Sequence, residues 1–204
     1  MAQIERISGF IRQLLTVARR TEPHLRRLDL HDLVHRTWHL VSDQGSAPGV
    51  TMRLELAEDL PPLLGDPEQL QQVLLNLCVN ALQAVDSAGQ VTLRTRWLPP
   101  GPLRPAGQVE IEVADTGPGI ATHDLSRLFE PFFTTKGARG GTGLGLAISR
   151  EIIQSHHGDI RVESTLGQGS CFIVSLPLAD ASPVLPPDQA GPPATAARQE
   201  EQGV

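Results

Sequence analysis

The 204 residues carry 17 basic and 23 acidic side chains, for a net charge of −6, with 40% hydrophobic and 3% aromatic residues. The acidic balance excludes a broad basic face for nucleic acid or anionic membrane, and so few aromatics exclude a base-stacking platform. The length suffices for a proper core, and two cysteines are too few for a disulfide framework. With no apolar run near the ~18 residues that span a bilayer, a cytoplasmic chain is expected, compatible with a membrane-anchored parent.

In chain order, residues 2–20 read as a helix with Ile4, Ile7, Ile11, Leu14 and Ala18 as a short heptad seam that ends before Pro23. No capping signal follows Met1, as if the helix had been cut. Residues 29–43 form a second predicted helix, with Asp29 as N-cap and Leu30, Leu33, Val34, Thr37 and Trp38 as its buried stripe. Val50 to Leu56 alternates as a half-buried strand. Asp66-Pro67-Glu68 is a helix start, an acidic N-cap followed by proline at the first helical position, and that helix runs to about Val85. Strands are predicted at 90–97 and 108–114 around a proline-rich loop, then at 159–164 and 170–177 after a helix over 143–156. Residues 115–145 hold seven glycines and little periodicity, and the tail from Asp180 has five prolines and no apolar period, the composition of disorder. One sheet with helices on one face predicts an α+β fold, a two-layer α/β sandwich.

Four segments carry chemistry. Asn76 and Asn80 lie four apart on one face of the helix from Asp66, with Leu74, Leu75, Leu77 and Val79 packing inward; carboxamide oxygens suit Mg²⁺, although the pair by itself reads as two solvated asparagines in preference to a metal site. Asp115-Thr116-Gly117-Pro118-Gly119 follows a strand, where glycine lets backbone approach a flat ligand and a carboxylate can accept from an exocyclic amine; an ordinary turn fits too. Gly140-Gly141-Thr142-Gly143-Leu144-Gly145 opens a helix whose free N–H groups suit phosphate, or serves as a hinge. Gly167-Gln168-Gly169-Ser170 is a tight turn entering the last strand. His31, His35 and His39 share a helical face, read as solvated or packed in preference to a metal site, and His156 and His157 end a helix, read as cationic caps.

Together the order and spacing of these segments resemble the ATP-binding catalytic domain of sensor histidine kinases, within the Bergerat-fold ATPases that include gyrase and mismatch-repair ATPases. Asn76 to Ala81 matches the N box, Asp115 to Gly119 the G1 box, Phe129-Glu130-Pro131-Phe132-Phe133 the F box, Gly141 to Gly145 the G2 box, and Ser164 to Phe172 the closing turn. Phe-Phe-Thr-Thr-Lys at 132–136 resembles the nitrogen-sensor type. The resemblance covers roughly residues 50–178.

The resemblance implies ATP and Mg²⁺. Asp115 would take the adenine amine, flanked by Gly117 and Gly119, with Ser170 in support. Asn80 would be the protein ligand of the metal and Asn76 would orient phosphate or water. The backbone of Gly141, Thr142, Gly143, Leu144 and Gly145 would cradle phosphates. Residues 120–140 would form a lid in which Lys136 and Arg139 neutralise the terminal phosphate. Asn76 stands where the hydrolases of the superfamily place a glutamate base, which favours transfer to histidine over hydrolysis. Gln83 stands where many kinases have lysine, which leaves Lys136 as the cation.

The resemblance further divides the chain. Residues 1–22 are expected to be the remnant of a second dimerisation and phosphotransfer helix, able to pair with a second copy through residues 4–18. Residues 23–49 would be linker and first domain helix, 50–179 the catalytic domain and 180–204 a disordered tail. The acceptor histidine would sit on a bundle helix absent from this chain and pass its phosphoryl group to a response regulator. His31-Asp32 resembles the acceptor context but lacks its proline. Two other readings compete: a serine kinase of the anti-sigma type, against which residues 2–20 and 129–133 argue, and a non-catalytic nucleotide-sensing module.

Overall fold

A computed structural model describes residues 22–43, 49–85, 88–102, 105–135 and 141–178. The predicted helix at 2–20, the tail from Asp180, Lys136 and Arg139 lie outside the described residues. Strand β1 (Arg26–Leu28) leads into helix α1 (Leu30–Asp43), then β2 (Gly49–Glu55), β3 (Leu63–Gly65), α2 (Pro67–Val85), β4 (Ala88–Leu98) and β5 (Gln108–Asp115). A one-turn α3 (Thr122–Leu125) precedes α4 (Gly145–Ser155), β6 (Asp159–Thr165) and β7 (Gly169–Pro177).

Five strands form one sheet in the order β2-β4-β5-β7-β6, with β2 parallel to β4 and every other pair antiparallel. Helix α2 packs on β4 and β5, α4 on β6, and both α1 and α4 pack on α2. The helices therefore cover one face, as the sequence pattern requires for a two-layer sandwich. Alternation along the strands sends Leu93, Val113, Ile111, Val109, Val174 and Leu176 inward against Val73, Leu74, Leu77 and Ile153, all buried. Each such side chain contributes about 1.5–3 kcal/mol on burial.

The opposite face is sealed by charge. Glu110 and Glu112 alternate with the inward residues of β5 and are only 6% and 4% exposed. Glu112 pairs with Arg94 and Arg96, Glu110 with Arg161, and Arg94 reaches on to Glu55. Guanidinium stems cover the carboxylates and supply the partners without which a buried charge is costly.

Caps follow the sequence. Asp29 Oδ1 accepts the His31 and Asp32 N–H groups at 2.8 and 3.5 Å, which starts α1. Thr37 in its buried stripe bonds back to the Leu33 carbonyl, Val41 extends that stripe, and Trp38 is half-buried. At α2, Asp66 Oδ1 accepts from Glu68 and Gln69 at 3.0 and 3.2 Å, and Pro67 occupies the first position, where no donor is needed. Its second oxygen accepts from His24 at 3.0 Å, which ties the entry segment to the helix.

Several expectations are corrected. The strands β1 and β3, antiparallel to one another, were not predicted, since three residues carry no legible period. The one-turn α3 lies inside the segment read as aperiodic. His156 is not a cationic cap. Its Nε2 accepts the Asp66 N–H at 2.9 Å while Nδ1 meets the Ile152 carbonyl at 2.8 Å. One ring nitrogen accepting and the other donating is a neutral imidazole, and it staples the end of α4 to the start of α2. His157 takes the left-handed position with φ 59°, and the Gly158 and His157 N–H groups close on the Ile153 and Gln154 carbonyls, a Schellman motif. His31 Nε2 bonds the Ala57 carbonyl at 2.8 Å, so it docks α1 to the loop after β2. Among the described residues no cluster of His, Cys, Asp and Glu could hold a metal.

Candidate functional site

Between α2, the end of β5, the segment 118–135, the start of α4 and the turn into β7 lies a cavity of about 760 Å³. Five parts of the chain build it. From α2 come Leu75, Asn76, Val79, Asn80, Gln83 and Ala84. These positions recur at spacings of three and four, so they form one stripe of the helix. Leu75 and Val79, expected to pack inward, instead line the cavity half-buried, while Leu74 and Leu77 face the core. The stripe was legible once Asn76 and Asn80 had fixed the face.

Asp115 ends β5, is 7% exposed, and lines the cavity beside Ser170, its register partner on β7. Its Oδ1 accepts the Gly117 N–H at 2.8 Å, which holds the carboxylate in place. Glycine is required around it. A Cβ on Gly169 would lie 2.0 Å from the Asp115 carbonyl oxygen, and one on Gly119, at φ 71°, 2.2 Å from that of Thr165. Ser164 stitches these turns together. Its hydroxyl donates to the Gly169 carbonyl at 2.8 Å, accepts the Ile120 N–H at 2.9 Å and meets Ser170 Oγ at 3.0 Å.

Gly141, Thr142, Gly143 and Gly145 line the far end of the cavity, where α4 begins. The N-cap of α4 is Leu144, which offers no side-chain acceptor. The first N–H groups of the helix have no acceptor within it, and with the helix dipole they suit an anion. The neighbouring turn is locked to this loop. Phe132, at φ 67° and 66% exposed, donates its N–H to the Gly143 carbonyl at 2.9 Å. Gly143 itself has φ 67°, and a Cβ there would lie 2.4 Å from the Phe132 carbonyl carbon. The flanking aromatics are held by cations, Phe133 by Arg127 at 4.5 Å and Phe129 by Arg150 at 5.6 Å.

Of the predicted site residues, Asn76, Asn80, Asp115, Gly119, Gly141, Thr142, Gly143, Gly145 and Ser170 share this one cavity. Gly117 stands behind Asp115 as its hydrogen-bond donor, and Leu144 is buried in the core at 1% exposure, because the N-cap of α4 turns inward. Lys136 and Arg139 lie outside the described residues. Sequence reasoning missed the apolar walls Ile120, Leu128, Leu146, Leu166 and Phe172, which are scattered along the chain and share no local period.

Residues 65–180 match the family model of histidine kinase-, DNA gyrase B- and HSP90-like ATPases. The chain belongs to this family. It is 39% identical over 178 residues to the signal transduction histidine-protein kinase AtoS of Escherichia coli K12, covering 87% of this chain and 28% of that protein. It is 36% identical over 176 residues to the sensor histidine kinase ZraS of the same organism, covering 86% of this chain and 36% of that protein. The chain thus spans about a third of the length of these relatives. Among solved structures, full-length ShkA in complex with AMPPNP matches with a TM-score of 0.74 at 30% identity, over 88% of this chain and 36% of that one. This family member carries asparagine at position 76 and glutamine at position 83, and both line the cavity.

Proposed function

We propose that the chain is the ATP-binding catalytic unit of a sensor histidine kinase, which transfers the γ-phosphoryl group of ATP to a histidine on a separate bundle helix. The observation that carries this reading is the convergence of Asn76, Asn80, Asp115 and the Gly141–Gly145 loop on one cavity in a member of this ATPase family. Kinship to proteins named as histidine kinases and to a structure holding an ATP analogue supports it.

In this reading Asp115 accepts the adenine amine and rejects guanine, whose carbonyl would face it acceptor to acceptor. Ser170 supports the base. The N–H groups at the start of α4 receive phosphate oxygens, and the apolar walls exclude water. Lys136 and Arg139 are proposed as cations for the terminal phosphate. The donor set suits Mg²⁺, a hard cation that takes one or two protein oxygens and keeps the rest for water and phosphate. Asn80, with Asn76 one turn away, would hold it, and when bound it would neutralise charge on the phosphates. A carboxamide at Asn76 cannot take a proton from water, which favours phosphotransfer over hydrolysis.

Among the described residues no histidine lines the cavity, and His31 is engaged by Ala57, so the acceptor is proposed to come from a dimerisation helix and to serve a response regulator. Residues 1–22 are proposed as part of such a helix, 23–49 as linker and first domain helix, 50–179 as the catalytic unit and 180–204 as a tail.

The test has two arms. Titration with a fluorescent ATP analogue should show Mg²⁺-dependent binding that Asp115→Ala weakens at least tenfold, the usual scale for losing a hydrogen bond to a charged group. Mixing the chain with a histidine-bearing bundle fragment from a related kinase and γ-labelled ATP should yield phosphohistidine on the fragment. Binding unaffected by Asp115→Ala would sink the site assignment. Nucleotide binding without label transfer would favour a nucleotide-sensing module.

A further inference from the structure

The carboxamide of Asn76 is anchored on its far side. Nδ2 donates to the Gly145 carbonyl at 3.2 Å and to Ser149 Oγ at 3.4 Å. A carbonyl only accepts, so the atom facing it must be the nitrogen, and the chemistry of the partner fixes which way the amide is turned. Ser149 Oγ gives its single proton to the same Gly145 carbonyl at 2.9 Å, which leaves the hydroxyl as acceptor for Asn76. Ser149 is 0% exposed. A hydroxyl buried in a helix interior bonds back to its own helix, as here, at a small cost in helix propensity; the second bond, across to α2, is the unusual part.

With both amide protons spent on α4, Asn76 has only its oxygen left for the cavity it lines. A carboxamide oxygen is a lone-pair acceptor. Opposite a phosphate oxygen it would repel; opposite a cation or a water proton it attracts. Of the two expected roles for Asn76, orienting phosphate or orienting water, this favours water.

We propose that Ser149 is a positioning residue that pins the Asn76 nitrogen to α4, so that the Asn76 oxygen serves the cation-and-water side of the phosphate end of the site. The inference rests on the nucleotide reading above. It also assigns a reason for two helices that approach at this point to be tied by side chains: the helix that offers N–H groups to phosphate and the helix that offers oxygens to the cation are held in one register.

The experiment is a double-mutant cycle of Ser149→Ala and Asn76→Ala in the full chain. It reads the affinity for ATP by displacement of a fluorescent analogue, in Mg²⁺ and in EDTA. Ser149→Ala should weaken binding in Mg²⁺ roughly fivefold, the scale of one net hydrogen bond. It should leave binding in EDTA at the parent value, which also shows that the variant is folded. In the Asn76→Ala background the same substitution should have no further effect, because a group that acts through Asn76 has nothing left to act on. Equal losses with and without metal, an undiminished loss in the Asn76→Ala background, or no loss at all would each overturn the inference while leaving the nucleotide reading intact. A parent chain that binds no nucleotide would overturn that reading and this one together.

Discussion

Asp66 accepts three backbone N–H groups with two oxygens, from Glu68, Gln69 and His24, while its own N–H goes to His156. Burial pushes its carboxyl up, but the three donors outweigh burial and hold it below the usual 3.8. A carboxyl depressed in the folded state stabilises fully above its unfolded value, and that contribution is lost as pH falls through the folded value. We therefore expect Asp66→Ala to destabilise by about 1–2 kcal/mol at pH 7, the scale of a lost N-cap. In denaturant melts the gap to the parent should close as pH drops below the ordinary aspartate range. A gap independent of pH would mean that packing, not the carboxylate, sets the effect. This residue was legible in the sequence as a cap, because Asp-Pro-Glu is a local signal; its bonds to His24 and His156 were not.

At the scale of elements, the turn that carries Phe132 and the loop that opens α4 behave as one piece. Their backbones meet at Gly143, whose positive φ and lack of a Cβ permit the contact. Gly143→Ala adds a methyl against the Phe132 carbonyl and a left-handed penalty of about 1–2 kcal/mol. The latch must then open or shift. The expected outcome is weaker nucleotide binding with only a small fall in melting temperature, since the core lies elsewhere. Equal binding by parent and variant would show that the latch does not set the position of the loop. The glycines were visible in the sequence as a cluster, read there as a phosphate-binding helix start or a hinge. The structure adds close approach as the reason at this position, and that depends on Phe132, eleven residues back.

For the whole molecule, the sandwich closes around α2, which packs on β4 and β5 of the sheet and against both α1 and α4 within the helical layer. Cys78 sits on its core side at 0% exposure, and burial pushes its thiol up to about 12. It is a reporter of global opening. At pH 8 a thiol reagent should label Cys78 only as fast as the sandwich opens, with the rate rising in sub-denaturing guanidinium. Labelling that is fast in native buffer, mapped to Cys78 by peptide mass, would mean that α2 separates locally from the core. Cys171 is half-buried on the charged face, and burial together with Glu163 raises its thiol as well, so rapid background labelling there is not expected.

The sequence alone determined what depends on neighbours within a few residues: the start of α2 at Asp66-Pro67, the alternation of β2, β4, β5 and β7, and the glycine turns around Asp115 and Ser170. Those local patterns sufficed to place the chain in its fold class and to name most of the cavity's polar lining. Tertiary structure decided what depends on groups far along the chain. The nitrogen of Asn76 finds its partners 69 and 73 residues away, and the ring of His156 finds the Asp66 N–H 90 residues away. Periodicity places a side chain on a face but cannot say which of its atoms donates, because that is fixed by the acceptors the fold brings opposite. For the same reason the burial of Glu110 and Glu112 could not be read locally: their arginine partners stand on β4 and β6, and the fold brings them across the sheet.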